Sequence, residues 1–96
     1  MFVGKRRDMN EQEMLDRGTA AGDLLNHPVF QAVSNTLMDT YLGDIVNSGP
    51  SESKTRESSY YQIKALQDVY AVLNQWAALK DQILQSRKEA EESEEE

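Results

Sequence analysis

The sequence predicts an all-α protein built on an antiparallel helical hairpin. Three observations support this: apolar residues recur every three or four positions, two proline-containing breaks divide the chain into three segments, and no alternating apolar–polar run indicates a strand. The predicted hairpin pairs a helix over residues 28–46 with a longer helix over residues 55–87. A shorter N-terminal helix over residues 10–25 is expected to lie alongside it.

The first helix is expected to begin at Asn10. Glu13 follows three positions later, which is the pattern of a capping box. Met9 and Met14 occupy the positions of a hydrophobic staple, which sets the direction in which the chain enters the helix. Together these signals predict a helix that starts near residue 10.

Two glycines, Gly18 and Gly22, lie four residues apart in this helix and face the same side. Each weakens a helix by up to about 1 kcal/mol relative to alanine. Their spacing predicts either a close approach by another backbone or a break near Gly22. The helix is expected to end at Asn26-His27-Pro28, because proline disfavours the helical conformation at His27 and suits the first turn of a new helix.

The second helix carries a broad apolar face. Its apolar positions step by three or four residues, as in an amphipathic helix. The candidate core residues on it are Phe30, Val33, Leu37, Tyr41 and Ile45. Polar residues, Ser34 among them, are expected to fill much of the other side. A turn follows at residues 47–51, where Gly49 ends one helix and Pro50 begins the next.

The third helix has the clearest pattern, a heptad-like seam that only Lys80 interrupts. Its candidate core residues are Ile63, Leu66, Tyr70, Leu73 and Trp76. Further apolar residues widen the apolar arc to roughly half of the helix circumference at about 100° per residue. One partner helix covers only a narrow seam, so this arc needs two neighbours. The second helix is one, and either the first helix or another copy of the chain is the other.

Interface candidates come from the outer part of this arc. Tyrosine and tryptophan bury much apolar area at low entropic cost and are frequent anchors of interfaces. The candidate protein-interface residues are Tyr60, Tyr61, Val72, Leu79 and Ile83. Lys54, Arg56 and Lys64 gather near the two tyrosines and form a mildly basic patch. Three charges are weak support for nucleic-acid binding.

Most of the net charge of −7 lies in the last nine residues, KEAEESEEE, which contain six glutamates. A like-charge block normally stays solvated, so residues 88–96 are predicted to be a disordered acidic tail that keeps the protein soluble. The alternative is docking on a basic partner. Lys5, Arg6 and Arg7 predict a flexible basic arm over residues 1–9. A single helical domain is then expected over residues 10–87.

The sequence offers little for catalysis or metal binding. It has no cysteine and one histidine, His27, so a metal site needs carboxylates for every other ligand. A structural role explains His27 better, either in capping a helix or in covering the edge of the core. No nucleophile elbow, P-loop or dinucleotide-binding glycine motif occurs. The chain is therefore expected to be no enzyme and to need no metal or other cofactor.

The chain resembles a group of small acidic helical proteins of tailed bacteriophages, encoded near head and packaging genes and mostly without assigned function. Three stretches carry the resemblance: LLNHPVFQA at residues 24–32, RESSY at 56–60 and ALQDV at 65–69. These motifs describe a helix start and a packing seam. The resemblance implies a phage context, in the cytoplasm of an infected cell or in the virion, and implies no catalytic residue.

Three functional hypotheses follow. The first is a structural or assembly protein that self-associates or docks on a phage component through helix–helix contacts. The second is an acidic regulatory binder or inhibitor of a nucleic-acid enzyme. A third is a small terminase-like packaging subunit, although residues 1–27 leave little room for a separate DNA-binding domain. A protein partner is expected in the first two cases. A membrane partner is not expected, because no apolar run approaches the ~20 residues that span a bilayer.

Overall fold

Residues 10–94 are described by a computed structural model, in which they form three helices and no strand. The helices are α1 (Glu11–Leu25), α2 (Pro28–Val46) and α3 (Ser53–Glu94). The predicted all-α fold and its order of two shorter helices before a long one are confirmed. The basic arm at residues 1–9, which includes Met9 of the staple, lies outside the described residues. None of the three helices has the length and apolar content to cross a membrane.

Both short helices begin at the residues that the sequence indicates. The backbone N–H of Glu13 donates to Oδ1 of Asn10 over 2.8 Å, and the side-chain amide of Asn10 donates to the Glu13 carboxylate over 2.9 Å. At the start of α2 the backbone N–H of Val29 donates to Nδ1 of His27 over 3.1 Å. Each side chain satisfies an N–H group that has no partner inside its helix. His27 is therefore the N-cap of α2.

The two short helices lie one after the other along α3, and both run antiparallel to it. Glu11 at the start of α1 pairs with Arg87 near the end of α3, over 2.6 Å. Phe30 near the start of α2 packs on Tyr70 with ring centroids 5.4 Å apart. Arg56 at the start of α3 contacts the turn after α2. The sequence predicted α1 beside the hairpin, whereas α1 lies beyond α2 and packs on the second half of α3.

Gly18 marks a close approach between α1 and α3. A Cβ atom on Gly18 would collide with the Cβ of Lys80 and would lie 2.7 Å from the carbonyl oxygen of Trp76. The missing side chain thus makes room for Lys80, the residue that interrupts the seam of α3. A Cβ atom on Gly22 would meet no atom within 4 Å, and α1 continues through Gly22 without a break. The sequence predicted either a close approach by another backbone or a break near Gly22. The structure shows the close approach, at Gly18 and not at Gly22.

The core is thin. In residues 10–94 the buried apolar side chains are Leu15, Ala21 and Leu73. Ser34 and Ser59 are also buried, and their small side chains let the helices pack closely. The remaining core candidates that face a neighbouring helix are only half-buried: Phe30, Tyr41, Ile45, Ile63, Leu66, Tyr70 and Trp76.

Two core predictions on α2 are wrong. Val33 is 52% exposed and Leu37 is 36% exposed, whereas Ser34, which was placed on the polar side, is buried. The covered stripe of α2 runs through the predicted Phe30 and then through Ser34 and Met38, which lie one position after the predicted Val33 and Leu37. The apolar face of α2 is broader than one neighbour can cover. Packing on α3 therefore selects one edge of this face, and the other edge stays in solvent.

The acidic segment differs from its predicted disorder, because α3 continues to Glu94. Alanine, glutamate and lysine are strong helix formers. The side chain of Gln85 donates to the Glu89 carboxylate one turn further on, over 3.1 Å. The ion pair of Arg87 with Glu11 also joins this part of α3 to α1. Residues 88–94 therefore extend α3 past its contact with the start of α1.

Arg56 connects the start of α3 to the turn before it. Its Nη1 donates to Oγ of Ser48 over 3.0 Å and to the backbone oxygen of Gly49 over 2.7 Å. The backbone N–H of Gly49 in turn donates to the Glu52 carboxylate over 3.0 Å. Arg56 is half-buried in this position. Its guanidinium is used inside the fold, so the basic patch predicted near Tyr60 has one charge fewer than the sequence suggested.

Replacing Gly18 by alanine should separate α1 from α3. We expect Gly18→Ala to lower the free energy of unfolding by about 1–3 kcal/mol, the usual cost of overpacking a tight contact. Gly22→Ala is the matched control in the same helix; it should raise stability by up to about 1 kcal/mol, because alanine favours a helix. Urea titrations followed by circular dichroism measure both. Equal effects of the two substitutions would contradict the close approach at Gly18.

Exchanging Arg56 for lysine should weaken the α2–α3 turn while keeping the charge. We expect Arg56→Lys to lower the free energy of unfolding by about 1–2 kcal/mol, because the shorter lysine side chain does not place a donor where Nη1 of Arg56 contacts both Ser48 and Gly49. Lys54→Arg, the reverse exchange at a nearby exposed position, should change stability by less than about 0.5 kcal/mol. Thermal unfolding of the two variants compares them, and an unchanged Arg56→Lys protein would show that the turn does not depend on this contact.

Candidate interaction surface

A second apolar stripe runs along α3 beside the covered one. Its members follow a four-three-four-three-four spacing, which is the spacing of a coiled-coil seam. All members but the last lie one position before a residue of the covered seam, which is formed by Leu66, Tyr70, Leu73, Ala77 and Lys80; the last member precedes Leu84, which is 43% exposed. We call these residues the open stripe: Ala65, Val69, Val72, Trp76, Leu79 and Ile83. Trp76 and Ile83 are half-buried, and the other members are exposed.

On α2, the apolar residues that α3 leaves uncovered also lie one position before the residues that contact the neighbouring helix. Val29, Val33 and Leu37 are exposed, and each lies one position before a residue of the stripe that contacts α3. Because α2 and α3 run antiparallel and face each other, positions with the same offset from the contact lie on the same side of the pair. The exposed edge of α2 and the open stripe of α3 therefore form one surface, which we call the open face.

Shallow apolar hollows follow the open face. One is lined by Val69, Val72 and Trp76 on α3. Another lies between α1 and the last part of α3 and includes Met14 with Ile83. A third follows α2 along its exposed edge from Pro28 to Leu37. Contiguous exposed apolar surface of this kind marks a site of protein–protein contact more often than a free surface.

Trp76 lies where the covered seam and the open stripe meet. The guanidinium of Arg17 on α1 stands over its ring, 4.6 Å from the centroid. This cation–π contact holds the indole from the α1 side. The same indole lines a hollow of the open stripe next to Val69 and Val72. A large aromatic side chain held in place and partly accessible is a typical anchor of an interface.

The five interface candidates divide into two groups. Val72, Leu79 and Ile83 belong to the open stripe. Tyr60 and Tyr61 are exposed but fall outside its spacing; their rings contact each other edge to face, with centroids 5.7 Å apart.

Six further residues of the open face are not among the interface candidates: Val29, Val33, Leu37, Ala65, Val69 and Trp76. Three of them, Val33, Leu37 and Trp76, are core candidates instead. The one-position offset between covered and exposed apolar residues is the signal that identifies them. It becomes visible only when the partner of each helix is known. The apolar residues of α2 and α3 alone do not tell which edge a neighbouring helix covers.

No group of three or more histidine, aspartate or glutamate side chains within residues 10–94 is placed to hold a metal ion. Comparisons of the chain with protein-family models, with curated proteins and with solved structures find no match. The resemblance to phage proteins stays a prediction based on three short motifs. The open face and the charges of α3 are therefore the features that bear on function.

Proposed function

We propose that this chain is a non-enzymatic assembly protein that acts through helix–helix contacts between its open face and another protein. One observation carries the proposal: the open stripe has the spacing by which helices pair, and the fold leaves four of its six members exposed. A helix that packs on only one neighbour needs one apolar seam. Within the described part of the chain, Trp76 and Ile83 are the members of the second seam that are partly covered, so the exposed members support a use between chains.

The thin core supports the same proposal. With Leu15, Ala21 and Leu73 as its buried apolar side chains, the described part of the chain gains little from burial within itself. Each square ångström of apolar surface removed from water contributes about 25 cal/mol. A partner that covers the open face adds this contribution and stabilises the folded chain by mass action. Folding and association are then coupled.

The setting that we propose is the head or packaging machinery of a tailed phage, in the infected cell or in the virion. The three motifs that resemble phage proteins support it, at residues 24–32, 56–60 and 65–69. Two of these motifs contain members of the open face, Val29 on α2 and Val69 on α3. The partner is then a phage structural protein or a further copy of the chain.

A second candidate function is an acidic binder of a nucleic-acid enzyme. Glutamates 89, 91, 92 and 94 lie on the ordered end of α3, past the Arg87–Glu11 contact. A rigid helix with this charge can enter a basic cleft more favourably than a flexible tail, because less conformational entropy is lost. The terminase-like hypothesis has less support, since α1 packs along α3 instead of forming part of a separate DNA-binding domain.

Glutamate on the open stripe should abolish assembly without unfolding the chain. Val72→Glu and Leu79→Glu each place a charge in an apolar contact, so we expect at least a tenfold loss of affinity for the partner, which corresponds to about 1.4 kcal/mol. Co-sedimentation with head and packaging proteins of a tailed phage measures binding. Circular dichroism should show unchanged helicity, because both positions are exposed.

Leu42→Glu is the matched control for these two substitutions. Leu42 is 47% exposed, close to the 40% of Val72. It lies one position after Tyr41 of the contact stripe, whereas the open face lies one position before that stripe, so Leu42 is on the other side of α2. We expect Leu42→Glu to bind as the unchanged chain does. An equal loss for Leu42→Glu, or full binding by Val72→Glu and Leu79→Glu, would overturn the proposed function.

Removing residues 89–96 separates the assembly proposal from the acidic-binder alternative. If apolar contacts carry the interaction, the deletion should change affinity severalfold at most, and raising the salt concentration from 50 to 500 mM should have little effect. Docking of the acidic end on a basic cleft predicts about a hundredfold loss on deletion and a steep fall with salt. Titration calorimetry at the two salt concentrations distinguishes the two functions.

A further inference from the structure

The open face has exposed apolar residues in a single chain, and the symmetric spacing of its open stripe indicates which partner covers it. We propose that the occupant is a second copy of this chain, whose α3 lies antiparallel to the first α3 about a two-fold axis at Asn74. This inference rests on the proposed function and names its partner. The spacing of the open stripe, the sizes of its side chains and the charges of α3 support it independently.

The spacing of the open stripe is the same in both directions from Asn74. Because the spacing is equal on both sides of Asn74, reversing the helix about this residue places each stripe position on another stripe position. In two antiparallel copies, the stripe residues of one chain therefore lie at the same heights along the helix axis as those of the other. The resulting layers join Val72 with Trp76, Val69 with Leu79, and Ala65 with Ile83 of the second copy. Together these layers extend over about 27 Å of helix at 1.5 Å per residue.

The sizes of the side chains favour the antiparallel pair. Before Asn74 the stripe residues are the smaller ones, and after it they are the larger ones. Each antiparallel layer thus combines a smaller with a larger side chain, which is how facing positions fill a core without voids. A parallel pair in register sets Trp76 against Trp76 and Ala65 against Ala65. The first layer is then overpacked and the second leaves a void.

The charges of α3 favour the same orientation. Lys54, Glu57 and Lys64 are exposed near its start and carry a net charge of +2 − 1 = +1, whereas Lys88 and the four glutamates at positions 89, 91, 92 and 94 carry +1 − 4 = −3 in its last turns. Reversal about Asn74 brings the glutamate end of each copy beside the lysine end of the other. A parallel pair places the two glutamate clusters together. Exposed ion pairs contribute only about 0.2–1 kcal/mol each, so the charges select the orientation and the apolar stripe supplies the affinity.

The same arrangement covers the part of the open face that lies on α2. Because α2 packs on the first half of α3 and α1 packs on the second, reversal places α2 of one copy opposite α1 of the other. The exposed edge of α2, with Val29, Val33 and Leu37, then faces a helix instead of solvent. The two chains together form a four-helix bundle in cross-section, the arrangement that buries apolar faces of this width.

Distances between spin labels test the orientation. The chain has no cysteine, so Gln75→Cys and Lys88→Cys each carry one label per chain, and both positions are exposed. In the antiparallel pair, position 75 lies next to its own copy, at roughly 10–25 Å, given helix axes 8–10 Å apart plus the label arms. Position 88 lies 28 residues along the axis from its own copy, which is about 42 Å at 1.5 Å per residue.

Double electron–electron resonance on the two full-length variants should give a short distance for Gln75→Cys and a long one for Lys88→Cys. Val69→Glu added to either variant should abolish the dipolar signal, and Leu42→Glu, with 47% exposure against 48% for Val69, should leave it unchanged. Short distances at both positions would show a parallel pair, long distances at both would show a different register, and no signal would show a monomer. Each of these three results overturns the inference.

Failure of this inference is distinguishable from failure of the proposed function. A chain that gives no dipolar signal but still loses its protein partner on Val72→Glu uses the open face for another protein. The proposed function then stands, and the second-copy assignment falls. A chain that gives no dipolar signal and keeps its protein partner after Val72→Glu contradicts both the second-copy inference and the proposed function.

Discussion

The structure depends on one constraint: α3 has more apolar surface than one helix can cover. Its two apolar stripes are offset by one residue, which is about 100° around the helix. One helix beside α3 covers one stripe. Because α1 and α2 lie in series along α3 instead of on either side of it, each level of α3 up to Arg87 has at most one such neighbour. The thin core and the open face are both consequences of this arrangement.

The serial arrangement originates in a short break in the chain. Two residues, Asn26 and His27, separate α1 from α2, and His27 caps the second helix before Pro28. Both helices therefore keep the direction antiparallel to α3. Contact along the second half of α3 also requires space for Lys80, and Gly18 provides it. A polar residue in an apolar seam is thus accommodated by a missing side chain on the opposite helix.

The elements that local sequence controls could be predicted, and those that depend on packing could not. Capping residues, the proline break and the helical periodicity act within a few residues, so the three helices and the role of His27 follow from sequence. Whether Val33 or Ser34 faces α3 depends on which edge of a broad apolar face a distant helix covers. The interface predictions at Val72, Leu79 and Ile83 identified part of the open stripe, but its continuation on α2 needs the antiparallel register. The helical acidic end does not follow from sequence, because the like-charge repulsion that predicts disorder is outweighed by helix propensity and by the Arg87–Glu11 contact, which depends on packing.

The most direct measurement of the central claim is the mass of the chain in solution by sedimentation equilibrium, over a hundredfold range of concentration and at two salt concentrations. If the open stripe pairs helices between chains, the mass should rise to twice the 10.9 kDa of one chain. The rise should be nearly the same at both salt concentrations, because apolar contacts are weakly screened. A mass of one chain under every condition would contradict the claim that the second stripe of α3 is covered by a second copy.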